Sequence, residues 1–141
     1  MLLKVNPMTA GPEQEHLRLL SIFHYVWGGV TLATSLLALP HIGMGWWALQ
    51  SPELFESGGD MPAELYGWMF LGFGLFFLVA GLIYGLVVIW VGRCLAKRKG
   101  YWFSFIVACF ECLMVPIGTL LGVFTLITLS KQTVKELYGR P

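Results

Sequence analysis

The sequence predicts an all-α integral membrane protein: a compact bundle of two long transmembrane helices plus a C-terminal helical hairpin broken by proline and glycine. Three observations carry that expectation. The chain of 141 residues is 57% hydrophobic and 12% charged, whereas soluble domains run at about 45–50% apolar and about 25% charged. Two apolar runs, residues 17–39 and 65–91, are each long enough to cross a hydrocarbon core about 30 Å thick at about 1.5 Å per helical residue. A third run, residues 101–130, is apolar from Tyr101 to Leu129 yet is interrupted at Pro116 and Gly118. The formal net charge is +1. The Lys and Arg residues collect at helix ends rather than in a patch with interleaved aromatics, which excludes nucleic acid as a partner. The implied partner is the lipid bilayer, around a single membrane domain covering residues 1–141.

Residues 1–16 are polar and include Pro7, Gly11 and Pro12. A secretory signal sets its apolar core nearer the start, so the first hydrophobic segment reads as an uncleaved anchor. That segment, residues 17–39, is expected to end at Pro40. Ser21, His24, Gly28, Thr31 and Ser35 recur in it at three- and four-residue steps, which puts them on one helix face that looks at protein rather than lipid. Residues 40–64 hold Gly43, Gly45, Trp46, Trp47, Pro52, Gly58, Gly59 and Pro62, and read as an external interfacial loop. Its charges are all acidic, Glu53, Glu56, Asp60 and Glu64, as suits the non-cytoplasmic side.

The second span, residues 65–91, carries Gly67, Gly74, Gly81, Gly85 and Gly92 at steps that keep all five on a narrow arc, including a GxxxG step at Gly81 and Gly85 that admits close helix approach. Residues 92–100 follow, with Arg93, Lys97, Arg98 and Lys99. So dense a basic cluster places this loop, and with it the amino terminus, in the cytoplasm. Residues 101–130 admit two forms. A hairpin turning at Pro116 and Gly118, with Gly118 and Gly122 as packing positions, returns the basic tail 131–141 to the cytoplasm; a single kinked third helix leaves it outside, against the positive-inside tendency. A short surface helix is expected from Lys131 to Tyr138.

The run from Glu111 to Leu126, with its E-C-x-x-x-P-x-G-T-x-x-G pattern, together with His24-Tyr25-Val26-Trp27-Gly28-Gly29 and the basic tail, resembles small bacterial polytopic membrane proteins of uncharacterised function. The resemblance implies a multi-pass protein of a bacterial inner membrane. It supplies no catalytic residue.

Glu111 is the sharpest candidate for chemistry, because a charge at the centre of an apolar segment costs about 2.5–3.5 kcal/mol on insertion scales. On a continuous helix it shares a face with Ser104, Gly118, Gly122 and Thr125. In a hairpin it lies a turn before the bend and nearer the outer surface, at a different depth from His24. His24 is the second candidate, as an interhelical hydrogen-bonding group or as a proton relay with Glu111, which in the hairpin needs waters or Thr31 between the two. Cys94, Cys109 and Cys112 are expected to be reduced and buried, without the ligand spacing of a soft-metal site. No phosphate loop, nucleophile elbow or zinc-protease helix is present. No metal, cofactor or catalysis is therefore expected. Two functions remain: an assembly or accessory subunit or homo-oligomeric scaffold, and a small oligomeric ion channel or proton-coupled transporter that uses Glu111.

Overall fold

The computed structural model describes residues 11–54 and 62–139, and among these it is helical without a strand. The elements are α1 (Pro12–Ser35), a 3-10 turn (Leu36–Ala38), α2 (Leu39–Gln50), a second 3-10 turn (Pro52–Leu54), α3 (Ala63–Lys97), α4 (Tyr101–Glu111), α5 (Ile117–Ser130) and α6 (Gln132–Leu137). Two stretches, Pro12–Gln50 and Ala63–Lys97, are long and apolar enough to cross a membrane. The expectations for residues 1–10, Glu56, Gly58, Gly59, Asp60 and Arg140 lie outside the described residues.

The first helical stretch corrects the reading of Pro40 as a stop. The chain stays helical to Gln50, and Pro40 falls in the first turn of α2. There the missing N–H has no intrahelical acceptor to lose and the fixed φ suits helix entry. The single 3-10 turn before it accommodates the ring. Most of what reads as an external loop, including Gly43, Gly45, Trp46 and Trp47, is therefore helix. At the other end α3 runs on to Lys97, through Arg93 and Cys94.

The chain divides into two compact units, one of residues 29–86 and one of residues 11–28 with 87–139. In the first, the end of α1 and the whole of α2 pair with the first part of α3 through small residues. A Cβ added at Gly45 would lie 2.5 Å from the Leu71 nitrogen, one at Gly67 2.6 Å from Leu49, one at Gly74 2.7 Å from Ile42 and one at Gly81 2.5 Å from the Ser35 Cβ. Each pairs a position on the first strand of helix with one on α3, and the backbones meet closely because no side chain intervenes. Gly85 is buried on the same arc. The glycine seam is thus filled from within the chain. Phe73, Phe76 and Phe77 face outward.

In the second unit, Ser21 donates to the Gly92 carbonyl at 2.7 Å. A Cβ at Gly92 would come 3.1 Å from the Ser21 oxygen and 3.3 Å from the His24 Cβ. Helices α4 and α5 fold back on each other as a hairpin: Tyr101 at the start of α4 donates to the carbonyl of Leu129 at the end of α5, at 3.0 Å. The bend passes through a cis Val115–Pro116 peptide. Gly122 brings the two helices together, since a Cβ there would lie 2.5 Å from the Ala108 carbonyl oxygen, and one at Gly118 would lie 2.8 Å from the backbone carbonyl oxygen of Glu111. The core of this unit is Leu17, Leu20, Val91, Leu95, Val107, Leu121, Leu129 and Val134. Val134 docks α6, and the Tyr101 and Tyr138 rings meet edge to face at 5.6 Å.

Candidate functional site

The site lies in the second unit, where α1 meets the end of α4. His24 and Glu111 have no exposed surface, and the His24 Nε2 stands 3.1 Å from the Glu111 Oε2. This corrects the expectation that a hairpin would hold the two at different depths. Helix α4 has 11 residues, about 16 Å, so Glu111 lies about 15 Å from the start of its helix, close to the roughly 18 Å that separates His24 from Pro12. The expectation rested on a first arm of about 15 residues, about 23 Å, which set Glu111 nearer the outer surface.

The ring orientation of His24 is set locally. Its Nδ1 lies 2.8 Å from the Leu20 carbonyl one turn back. A carbonyl only accepts, so Nδ1 carries a proton and Nε2 faces Glu111. Two arrangements satisfy that geometry. In one, a protonated carboxyl donates from Oε2 to a neutral imidazole; in the other, an imidazolium donates from Nε2 to the carboxylate. Both hold the same number of protons and carry no net charge, so each removes the large cost of an isolated buried ion.

The pair does not satisfy every polar atom. The Glu111 Oε1 is buried without a hydrogen-bond partner among the described residues, and so is the Oγ of Ser104, two turns earlier on α4. Thr125, expected to share a face with Glu111 only on a continuous helix, turns its hydroxyl to the Leu121 carbonyl at 2.7 Å. Thr119 donates to the Cys112 carbonyl at 2.9 Å and closes the bend after Glu111.

The small face expected on the first helix is present. Ser21, His24, Gly28 and Ser35 are buried and Thr31 half-buried. The cysteines depart from expectation. All three are free, but Cys109 is exposed and Cys94 and Cys112 are half-buried. Cys109 sits on the outward side of α4, beside the exposed Phe110, where an apolar run alone cannot distinguish lipid-facing from core-facing positions. Among the described residues no group of three His, Cys, Asp or Glu side chains is placed to hold a metal.

Sequence reasoning weighed His24 and Glu111 as one polar site but set them at different depths in the hairpin, and so missed that they touch directly. It also missed Gly45, whose signal was present: the steps of Ser21, His24, Gly28, Thr31 and Ser35 continue through Ala38, Ile42, Gly45 and Leu49 without a break at Pro40. No family model, no curated protein and no solved structure matches this chain.

Proposed function

We propose that this protein is a multi-pass membrane protein that works as an assembly or accessory element, as a homo-oligomer or a subunit of a larger complex, with His24–Glu111 as a charge-neutral link between helices. Membrane residence is supported by how little of the apolar surface is covered. Only 22% of the most apolar window of α3 is buried, and Trp68, Phe73, Phe76, Leu86 and Trp90 are each more than half exposed. In water so large a contiguous apolar face is not tolerated by a monomer; in lipid it is the required surface. The arrangement of charge agrees. Glu53 and Glu64 flank the α2–α3 connection, while Arg93, Lys97, Arg98 and Lys99 follow the apolar part of α3. At the basic end Arg98 donates to Gln14 at 3.1 Å and Lys131 pairs with Glu13 at 3.7 Å. The start of α1, the α3–α4 loop and the start of α6 therefore share one side, read as cytoplasmic.

The α4–α5 hairpin fits this topology as a re-entrant element. Its arms have 11 and 14 residues, about 16 and 21 Å, against a core about 30 Å thick. Its tip is Leu113, Met114 and Val115, all exposed and apolar, and the bend makes its own hydrogen bonds: Cys112 N–H to Ala108, Leu113 N–H to Phe110 and Met114 N–H to Glu111. Backbone at membrane depth needs that internal satisfaction.

The observation that carries the assembly reading over transport is the zero exposure of both members of the pair. A transported ion or proton needs a wet path to its site, and neither side chain offers surface to one. The experiment is purification in mild detergent, with the particle mass and co-purifying chains measured. A stable homo-oligomer or a stoichiometric partner is expected; a lone monomer would remove the reading. The transport reading keeps one specific support, the unpartnered Glu111 Oε1. It predicts a proton- or cation-dependent flux in reconstituted vesicles that Glu111→Gln abolishes, and absence of such a flux is the expected result.

A further inference from the structure

At the basic end of the second unit, the α3–α4 loop, the start of α4 and Tyr138 line an open cavity of about 380 Å³. Arg98 and Lys99 line it together with Trp102, Phe103 and Tyr138, the residue that follows α6. We propose that this cavity is a binding site for the phosphate headgroup of an anionic phospholipid.

Four features converge on that ligand. The two cations have no opposing carboxylate among the described residues that line the cavity. Arg98 uses one nitrogen on Gln14 and keeps donors to spare on its five-donor fork, and Lys99 is exposed. The loop backbone is held in place rather than loose. Arg98 and Gly100 adopt positive φ values of 53° and 68°, and Lys99 N–H bonds back to the Cys94 carbonyl at 3.0 Å, so the two basic side chains leave from a defined turn. The Tyr138 hydroxyl is a buried atom without a partner among the described residues. A phenol is a proton donor at neutral pH, and burial pushes this one further up, to about 12.

The fourth feature selects a lipid over free phosphate. Beside the cavity Trp90 packs on Phe103 at a ring distance of 6.0 Å, and Phe103, Ile106 and Phe110 continue outward along one face of α4, all exposed. Their spacing of three and four residues makes an apolar strip leading away from the cations. A phosphate with acyl chains matches both the charge and the strip; inorganic phosphate uses only the first. Tryptophan at the headgroup level and paired cations on the cytoplasmic side are what an anionic inner leaflet recruits.

The inference rests on the membrane reading, and the test separates the two. The purified full chain in mild detergent is titrated with phosphatidylglycerol, phosphatidylcholine or inorganic phosphate, and retained lipid is read by native mass spectrometry. Wild type is expected to hold phosphatidylglycerol at least about tenfold better than phosphatidylcholine, with inorganic phosphate failing to displace it. Arg98→Gln with Lys99→Gln should lose about ten- to thirtyfold, the factor that two surface cations supply. Tyr138→Phe, which removes one donor and keeps the ring, should lose severalfold.

The control is Arg93→Gln with Lys135→Gln, which removes the same charge from positions outside the cavity. A control loss equal to that of the double cavity variant overturns the site, because general attraction then suffices. Equal retention of both lipids by wild type, or full displacement by inorganic phosphate, also overturns it and leaves the membrane reading standing. A chain that stays dispersed as a monomer in buffer without detergent overturns both.

Discussion

His24 has its Nδ1 committed to the Leu20 carbonyl, so the whole accommodation of Glu111 passes through one nitrogen, Nε2. Substitutions there separate hydrogen bonding from charge. In Glu111→Gln the amide N–H can donate to a neutral Nε2, and stability in a detergent unfolding titration should fall by no more than about 1 kcal/mol. Glu111→Leu leaves a fully buried nitrogen unpaired and should cost about 1–3 kcal/mol. Adding His24→Leu to Glu111→Leu should recover part of that loss, because the orphaned partner is then gone. Equal losses in Glu111→Gln and Glu111→Leu would show that the hydrogen bond contributes nothing. Both residues were legible as rare polar groups in apolar segments; their meeting was not. They are 87 positions apart, and their relative depth follows from where α4 begins and ends, which hydropathy alone does not give.

At the scale of elements, glycines that look alike in sequence do different things. Gly122 meets the Ala108 oxygen, whereas nothing lies within 4 Å of a Cβ built at Gly72. Gly122→Ala should therefore push α4 and α5 apart and cost about 1–3 kcal/mol. Gly72→Ala should be neutral or gain up to about 1 kcal/mol of helix propensity. Thermal aggregation midpoints of the two variants would rank them, and identical behaviour would remove the close approach at Gly122 from the account. The docking of α6 has a pH signature. Tyr138 titrates at about 12, chiefly through burial, against an ordinary value of 10, so the fold favours the neutral phenol. Its contribution is complete below pH 10 and is lost as pH rises through 12. Ultraviolet titration should show one late tyrosinate that Tyr138→Phe removes. The arc of Gly67, Gly74, Gly81, Gly85 and Gly92 was readable from spacing alone. The length of the first helical stretch was not, because Pro40 signals a helix end and a helix start with equal force, and only the three- and four-residue steps that continue beyond it through Ile42, Gly45 and Leu49 decide between them.

For the whole molecule, the proposed topology makes three parts of the chain face one side and keeps the hairpin tip away from both. In a cysteine-free background, single cysteines at Lys99 and Gln132 should react with an impermeant reagent only after the cytoplasmic face is opened. One at Glu53 should react from outside, and one at Val115 from neither side. Labelling of Val115 from outside would replace the re-entrant hairpin by two full crossings. That residues 101–130 double back was one of two forms the sequence left open; charge counting favoured it, and the first arm, expected at about 15 residues, has 11. The apolar tip also bears on how the protein is made. Leu113, Met114 and Val115 carry no charge, and the bend satisfies much of its own backbone. The hairpin can thus enter the bilayer from the side on which it is synthesised without any polar segment being translocated. Its one costly passenger, Glu111, is accommodated only where His24 already stands. Biogenesis on this scheme has an order: the first helix must be in place before the last hairpin can settle.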